Sequence, residues 1–199
     1  MRTLSGPRLR GHLQSYRGIS LLEILVVLCL VGVLMTLATP GVQTLLDTTR
    51  TDTERRTLMA LVQASRHAAA NLNQPVVLCP EHADELDRCG KRNQWHGGAI
   101  AFTDANRNRR LDGNDVRVAR IDKFHSRITF RAFRNRSYLG FMPTGLTDWQ
   151  NGHFVLCPTD GDIRYARQLV LNYAGRAYFS KDEDGDGVDE DVRGKPLSC

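Results

Sequence analysis

An uncharged apolar run from Ile24 to Leu46 begins directly behind a single carboxylate, Glu23, and no other feature constrains the fold as tightly. At about 1.5 Å per helical residue, its first part, Ile24 to Ala38, is expected to lie within the roughly 30 Å hydrocarbon core of a bilayer. An ionised side chain in such a segment costs roughly 2.5 to 3.5 kcal/mol, which makes Glu23 a functional residue in need of a partner. A secretory signal peptide fits poorly. The run exceeds the roughly 7 to 15 residues of a signal core, it opens on a carboxylate, and Ala38-Thr39-Pro40 is not a small-x-small cleavage site.

Upstream of Ile19 stands a short polar leader that carries Arg2, Arg8, Arg10 and Arg17 and no acidic residue. The positive-inside bias then predicts a single-pass inner-membrane protein, with a cytoplasmic amino terminus and a periplasmic carboxy-terminal domain. The net charge of +5 and the pI near 9.1 invite a nucleic-acid reading, but removing the four leader arginines leaves +1. At 199 residues the chain has room for one membrane helix and one globular domain with its own core.

The stretch Gly18-Ile19-Ser20-Leu21-Leu22-Glu23, continuing through Gly32 and Pro40, resembles the prepilin motif of type IV pilins and pseudopilins. The resemblance implies that a prepilin peptidase cuts after Gly18 and methylates the new amino terminus at Ile19. It also implies that Glu23 of an incoming subunit neutralises the amino terminus of its neighbour in a filament packed helix against helix. Charges in such a low-dielectric setting attract strongly and are costly unpaired. The family usually has Phe where this chain has Ile19 and Thr where it has Ser20.

Beyond Pro40, Val42, Leu45, Leu46, Leu58, Leu61, Val62, Ser65, Ala68, Ala69 and Leu72 keep the spacing of an amphipathic helix, ending before Pro75. One long helix is predicted, kinked near Pro40. Short β-patterned segments come after it at 76–79, 98–103, 116–121, 128–133, 139–142, 153–157, 168–173 and 176–179, separated by Gly, Asn, Asp and Pro. The expected fold class is α+β: a helix with a transmembrane half and an amphipathic half, the latter packed on an antiparallel β-sheet domain. The expected organisation is a cleaved leader over 1–18, a transmembrane and assembly helix over 19–40, its amphipathic continuation over 41–74, and a periplasmic β domain over 75–199. The stretches Trp95 to Asn106, Phe141 to Gly145 and Gly152 to Cys157 resemble the GspH/FimT branch of minor pilins and pseudopilins.

Cys29 falls inside the apolar run, which leaves Cys79, Cys89, Cys157 and Cys199 for the exported domain. In an oxidising periplasm they read as two disulfides with three possible connectivities, of which Cys79 with Cys89 and Cys157 with Cys199 is favoured. A zinc site built on Cys79, His82, Cys89 and a distant residue is the rival reading, and its spacing fits no standard zinc pattern.

The tail offers a calcium candidate. Asp182, Asp184 and Asp186 alternate ahead of Gly187, as in the D-x-D-x-D-G start of a calcium loop, with the Val188 carbonyl as a further ligand. Arg193 stands where such loops place a closing glutamate, so Glu190 or Asp191 would have to close the site. The alternative is a solvated acidic loop. The segment from Asp104 to Asp112 is a weaker version, crowded by Arg107, Arg109 and Arg110, and reads as a strand connection.

Those arginines open a basic stretch that runs on through Arg117, Arg120, Lys123, Arg127, Arg131, Arg134 and Arg136. A basic face can hold phosphates without reading sequence, although strand alternation with solvated charges explains the pattern equally. FimT-like DNA-uptake pilins carry a Gly-Arg-x-Arg sequence. Here the aligned stretch is Gly175-Arg176-Ala177-Tyr178, which leaves Arg176 as the candidate DNA contact. His67, His82, His96, His125 and His153 are scattered, and no Ser or Cys nucleophile motif accompanies them.

The sequence therefore predicts a non-enzymatic minor pilin or pseudopilin in a type IV pilus or type II secretion pseudopilus, with other pilins, prepilin peptidase and the inner membrane as partners. DNA uptake in natural transformation and a membrane-anchored periplasmic enzyme are the alternatives.

Overall fold

A computed structural model of the chain describes residues 18–199, apart from the side chains of 37–44 and 47. The leader over 1–17 lies outside the described residues. The chain divides into two compact units, one ending at Val42 and the other covering Gln43–Cys199. A single 52-residue helix, α1 (Leu21–Leu72), contributes to both. Pro40 stands inside this helix, where its missing N–H removes one rung of the hydrogen-bond ladder.

In the first unit, α1 begins just after Ser20, whose carbonyl accepts the Ile24 N–H at 3.2 Å. Glu23 falls in the first turn, where unpaired N–H groups favour a carboxylate. Large apolar side chains point outward in all directions, with Leu21 84%, Leu25 57%, Leu28 65% and Met35 63% exposed. Among the described residues, however, no helix is long and apolar enough to cross a membrane. The unbroken apolar stretch is Ile24 to Met35, and beyond it Thr36, Thr39, Pro40, Gly41, Gln43 and Thr44 interrupt the run. At ~1.5 Å per residue that stretch covers about 18 Å, short of a hydrocarbon core of roughly 30 Å. This overturns the expected transmembrane half of the helix, and with it the inner-membrane anchorage and the single-pass topology that placed the domain in the periplasm.

In the second unit the helix ends where Asn73 turns left-handed at φ 50° and Pro75 forbids continuation. The rest of the unit carries eight strands: β1 (Val76–Pro80), β2 (Ala99–Thr103), β3 (Arg117–Ile121), β4 (Arg127–Ala132), β5 (Leu139–Phe141), β6 (Gly152–Cys157), β7 (Arg167–Leu171) and β8 (Ala177–Phe179). They occupy the eight β-patterned segments of the sequence, with ends shifted by one or two residues. Their pairing differs from the single sheet expected. Two four-stranded antiparallel sheets form, ordered β3-β2-β1-β5 and β4-β6-β7-β8. The chain leaves the first sheet at β4, which pairs with β6 over its whole length, and returns to it once, where β5 pairs with β1.

Leu58, Leu61, Val62 and Ala69 of α1 share one core with Val76, Leu78, Ala99 and Ala101 of the first sheet and Phe130, Phe154, Leu169 and Leu171 of the second. Trp95, on the short 3₁₀ segment Arg92–Gly97, is fully buried and meets Phe130 and Phe154 edge-on, with ring centroids 5.3 and 4.8 Å away. The opposite face of β1 and β2 buries a second cluster of Val77, Cys79, Ile100 and Phe102. Cys79 is bonded there to Cys89 with Cα atoms 5.4 Å apart, and Cys157 of β6 is bonded to Cys199 at 5.7 Å. With both sulfurs engaged, the zinc reading of Cys79, His82 and Cys89 falls away.

Trp95→Ala should lower stability by about 3–5 kcal/mol, the range for truncating a buried aromatic. Equilibrium urea unfolding followed by circular dichroism would show a lower midpoint at unchanged slope. A stability within about 1 kcal/mol of wild type would contradict the central place given to Trp95.

Candidate functional site

The acidic loop grows out of β8. Ser180 fixes its start: its N–H donates to the Gln168 carbonyl at 3.0 Å and its hydroxyl to Asp189 Oδ2 at 2.8 Å. The Glu190 N–H donates to the Lys181 carbonyl at 3.1 Å and closes the loop at its neck. Within it, Asp182 accepts the N–H groups of Gly185 and Gly187 at 2.7 and 2.9 Å. Asp184 accepts from Asp186 at 3.1 Å and Asp186 from Val188 at 2.8 Å. Gly185 and Gly187 hold φ at 81° and 90°, a left-handed backbone that side-chain-bearing residues rarely adopt.

One carboxylate oxygen from each of Asp182, Asp184, Asp186 and Glu190 falls within 4.8 Å of the others. Such a group of hard oxygen donors could coordinate a divalent cation. Asp191 is not a member. Its carboxylate accepts the N–H groups of Arg193 and Lys195 at 2.8 and 3.1 Å, which hold its pKa below the usual carboxylate value. Val188 is buried and donates its N–H to Asp186. Past the loop, the Leu197 N–H donates to the Asp189 carbonyl at 2.9 Å, and the Cys157–Cys199 disulfide ties down the terminus.

The amino-terminal motif lies in the other unit. Gly18, Ile19 and Glu23 are all exposed, Ile19 at 70%. Among the described residues, a Cβ at Gly18 would meet nothing within 4 Å.

Four arginines of the basic stretch are paired with carboxylates, while Lys123, Arg127 and Arg131 line one groove. Arg120 pairs with Glu81 at 3.0 Å, Arg117 with Asp87 at 2.5 Å, Arg110 with Glu85 at 3.1 Å and Arg136 with Asp148 at 3.1 Å. Three of those acids belong to the loop closed by Cys79–Cys89, a pairing that separation along the chain concealed. Arg176 is exposed, and its backbone N–H donates to Asn172 Oδ1 at 3.0 Å. The loop after β2 is organised by Asp104, which accepts from Asn108 and Arg109 at 2.9 and 3.1 Å, and burial raises its pKa.

Sequence reasoning missed Glu54. Its carboxylate accepts the backbone N–H groups of His125 and Ser126, the latter at 2.9 Å, and so fastens α1 to the turn that enters β4. No local motif could have identified it, because its partners lie 71 and 72 residues away. The histidines do not converge: His67, His96 and His125 are exposed, while His82 and His153 are half-buried in different places.

Residues 54–175 match the family model of type II transport protein GspH, and the chain belongs to that family. Among solved structures it is similar to the type IV minor pilin FimU of Pseudomonas aeruginosa strain PAO1 in two crystal forms. One is 16% identical and covers 63% of this chain and 89% of that chain, with a TM-score of 0.44. The other is 18% identical and covers 74% and 98%, also with a TM-score of 0.44. No curated protein matches. The acidic loop lies beyond the matched segment.

His153 supplies a test of the local electrostatics. Burial first, and then Arg131 directly across the β4–β6 pair, push its pKa below the ordinary 6.5. A depressed histidine pKa means the folded state resists the proton, so stability present above about pH 6.5 is lost as pH falls below it. Thermal melts at pH 7, 6 and 5 should therefore fall less steeply for His153→Gln than for wild type. Parallel pH profiles would contradict this assignment.

Proposed function

We propose that the chain is a structural subunit of a pilin-type filament, a minor pilin or pseudopilin whose amino-terminal helix packs against the helices of other subunits. One observation carries the reading: a member of the GspH family whose helix from Leu21 to Met35 exposes large apolar side chains on every side. A helix apolar all round is stable in water only when covered. Neighbouring subunits with the same kind of helix would provide that cover.

In this reading the prepilin peptidase cuts after Gly18 and methylates Ile19. The new ammonium at Ile19 and the Glu23 carboxylate of an adjacent subunit then neutralise each other among packed apolar helices. There an unpaired charge costs several kcal/mol. Arg110, Arg117, Arg120 and Arg136, four of the ten basic residues in that stretch, are each paired with a carboxylate, which weakens the DNA-binding reading.

Gly18→Leu should block maturation, seen as a precursor of unchanged size on gels. Glu23→Ala should be processed normally yet enter filaments poorly. Breaking a buried pair costs about 3–5 kcal/mol, so the amount in sheared filaments should drop by more than roughly a hundredfold. Wild-type incorporation of the Glu23 variant would rule out the proposed pairing.

A further inference from the structure

We infer that the C-terminal loop is a calcium site, with Asp182, Asp184, Asp186 and Glu190 as its carboxylate ligands and the Val188 carbonyl as a fifth. The alternating aspartates alone would not justify this, since an acidic loop can simply be solvated. Glu190 is the independent observation. It is only 7% exposed. Its Oε2 accepts the Glu183 N–H at 2.6 Å, while its Oε1 is buried without any hydrogen-bond partner. The same residue belongs to the group whose oxygens approach within 4.8 Å of one another.

A buried carboxylate oxygen without a partner costs free energy that a cation would recover. No cationic side chain of the described residues neutralises the cluster by direct contact. Among the described residues, no ion pair involves Asp182, Asp184, Asp186 or Glu190.

The donor set selects the metal. All donors are oxygen, with no imidazole or thiolate, which favours a hard cation over zinc or copper. Magnesium demands near-ideal octahedral geometry and keeps several waters. Four carboxylates and a carbonyl on a turning loop suit the larger, more flexible shell of calcium. Closure by Glu190, nine positions into the loop, departs from the closing glutamate at position twelve, where this chain has Arg193. The terminal segment holds Glu190 in place: Glu190 pairs with Pro196 in an isolated bridge, Leu197 is buried, and Cys199 is bonded to Cys157. A bound ion would thus link the end of β8 to the disulfide-anchored terminus. The site lies outside the matched span 54–175, so it stands or falls separately from the filament reading.

The test is a titration of the metal-stripped full chain with CaCl2 and, separately, MgCl2, by isothermal calorimetry and thermal melting. Calcium should bind once, with Kd on the order of 10⁻⁴–10⁻³ M or tighter, as in loosely built calcium modules. At saturation it should raise Tm by about 4 °C or more, with a clearly weaker response to magnesium. Glu190→Gln and Asp184→Asn should each weaken calcium binding at least tenfold. Metal-free Glu190→Gln should melt no lower than metal-free wild type, because it removes an unpaired buried charge and retains an acceptor for the Glu183 N–H. A purely structural role would lower it. Absence of heat and of a Tm shift with wild type at about 10 mM CaCl2, well above the expected Kd, an equal response to magnesium, or wild-type calcium affinity in Glu190→Gln would each overturn the assignment.

Discussion

The apolar stripe on the second part of α1 is the constraint on which Gln43–Cys199 depends. Leu58, Leu61, Val62 and Ala69 form a wall that both sheets share, and Ser65 is buried in the same stripe by returning its hydroxyl to the Leu61 carbonyl at 2.7 Å. Neither sheet could cover its inner face without that wall. Polar fastenings then set the register. Glu54 caps the turn before β4, Asp52 bridges Arg55 and Arg167 at 3.0 and 3.4 Å, and the Arg55 guanidinium lies 4.3 Å from the centre of the Phe179 ring. One helix thereby reaches the first turn of the second sheet and its last strand.

The first part of the same helix obeys the opposite logic. From Leu21 to Met35 it has no polar face to offer water. A helix that is hydrophobic all round belongs in an interior, and a filament of packed helices is the interior proposed for it. The globular unit satisfies its own core, while the helix leaves its surface for others.

Much of the β domain was legible because strand patterning is local. Each strand could be read from a short apolar run between turn residues, and the helix stop from Pro75. Pairing was not legible, since whether β4 continues the first sheet or founds a second depends on long-range contacts with β6 and on Trp95 filling the space beside Phe130 and Phe154. Length misled the reading of the apolar run: counting through to Leu46 treated Thr36, Pro40 and Gln43 as though they were apolar. In the acidic loop the aspartate spacing and the glycines were visible, but the burial of Glu190 was not. That burial is imposed from outside the loop by Pro196, Leu197 and the Cys157–Cys199 bond, whereas Asp191, its neighbour, is consumed by backbone donors.

The central claim is that the apolar helix is covered by the helices of other subunits. A photoreactive benzoylphenylalanine replacing Cys29, an exposed position in the middle of that helix, tests it directly in cells that assemble the filament. Irradiation and subsequent peptide mapping should join this position to the amino-terminal helix of another pilin-type subunit. Adducts confined to the chain's own β domain, or no protein adduct at all, would contradict the account.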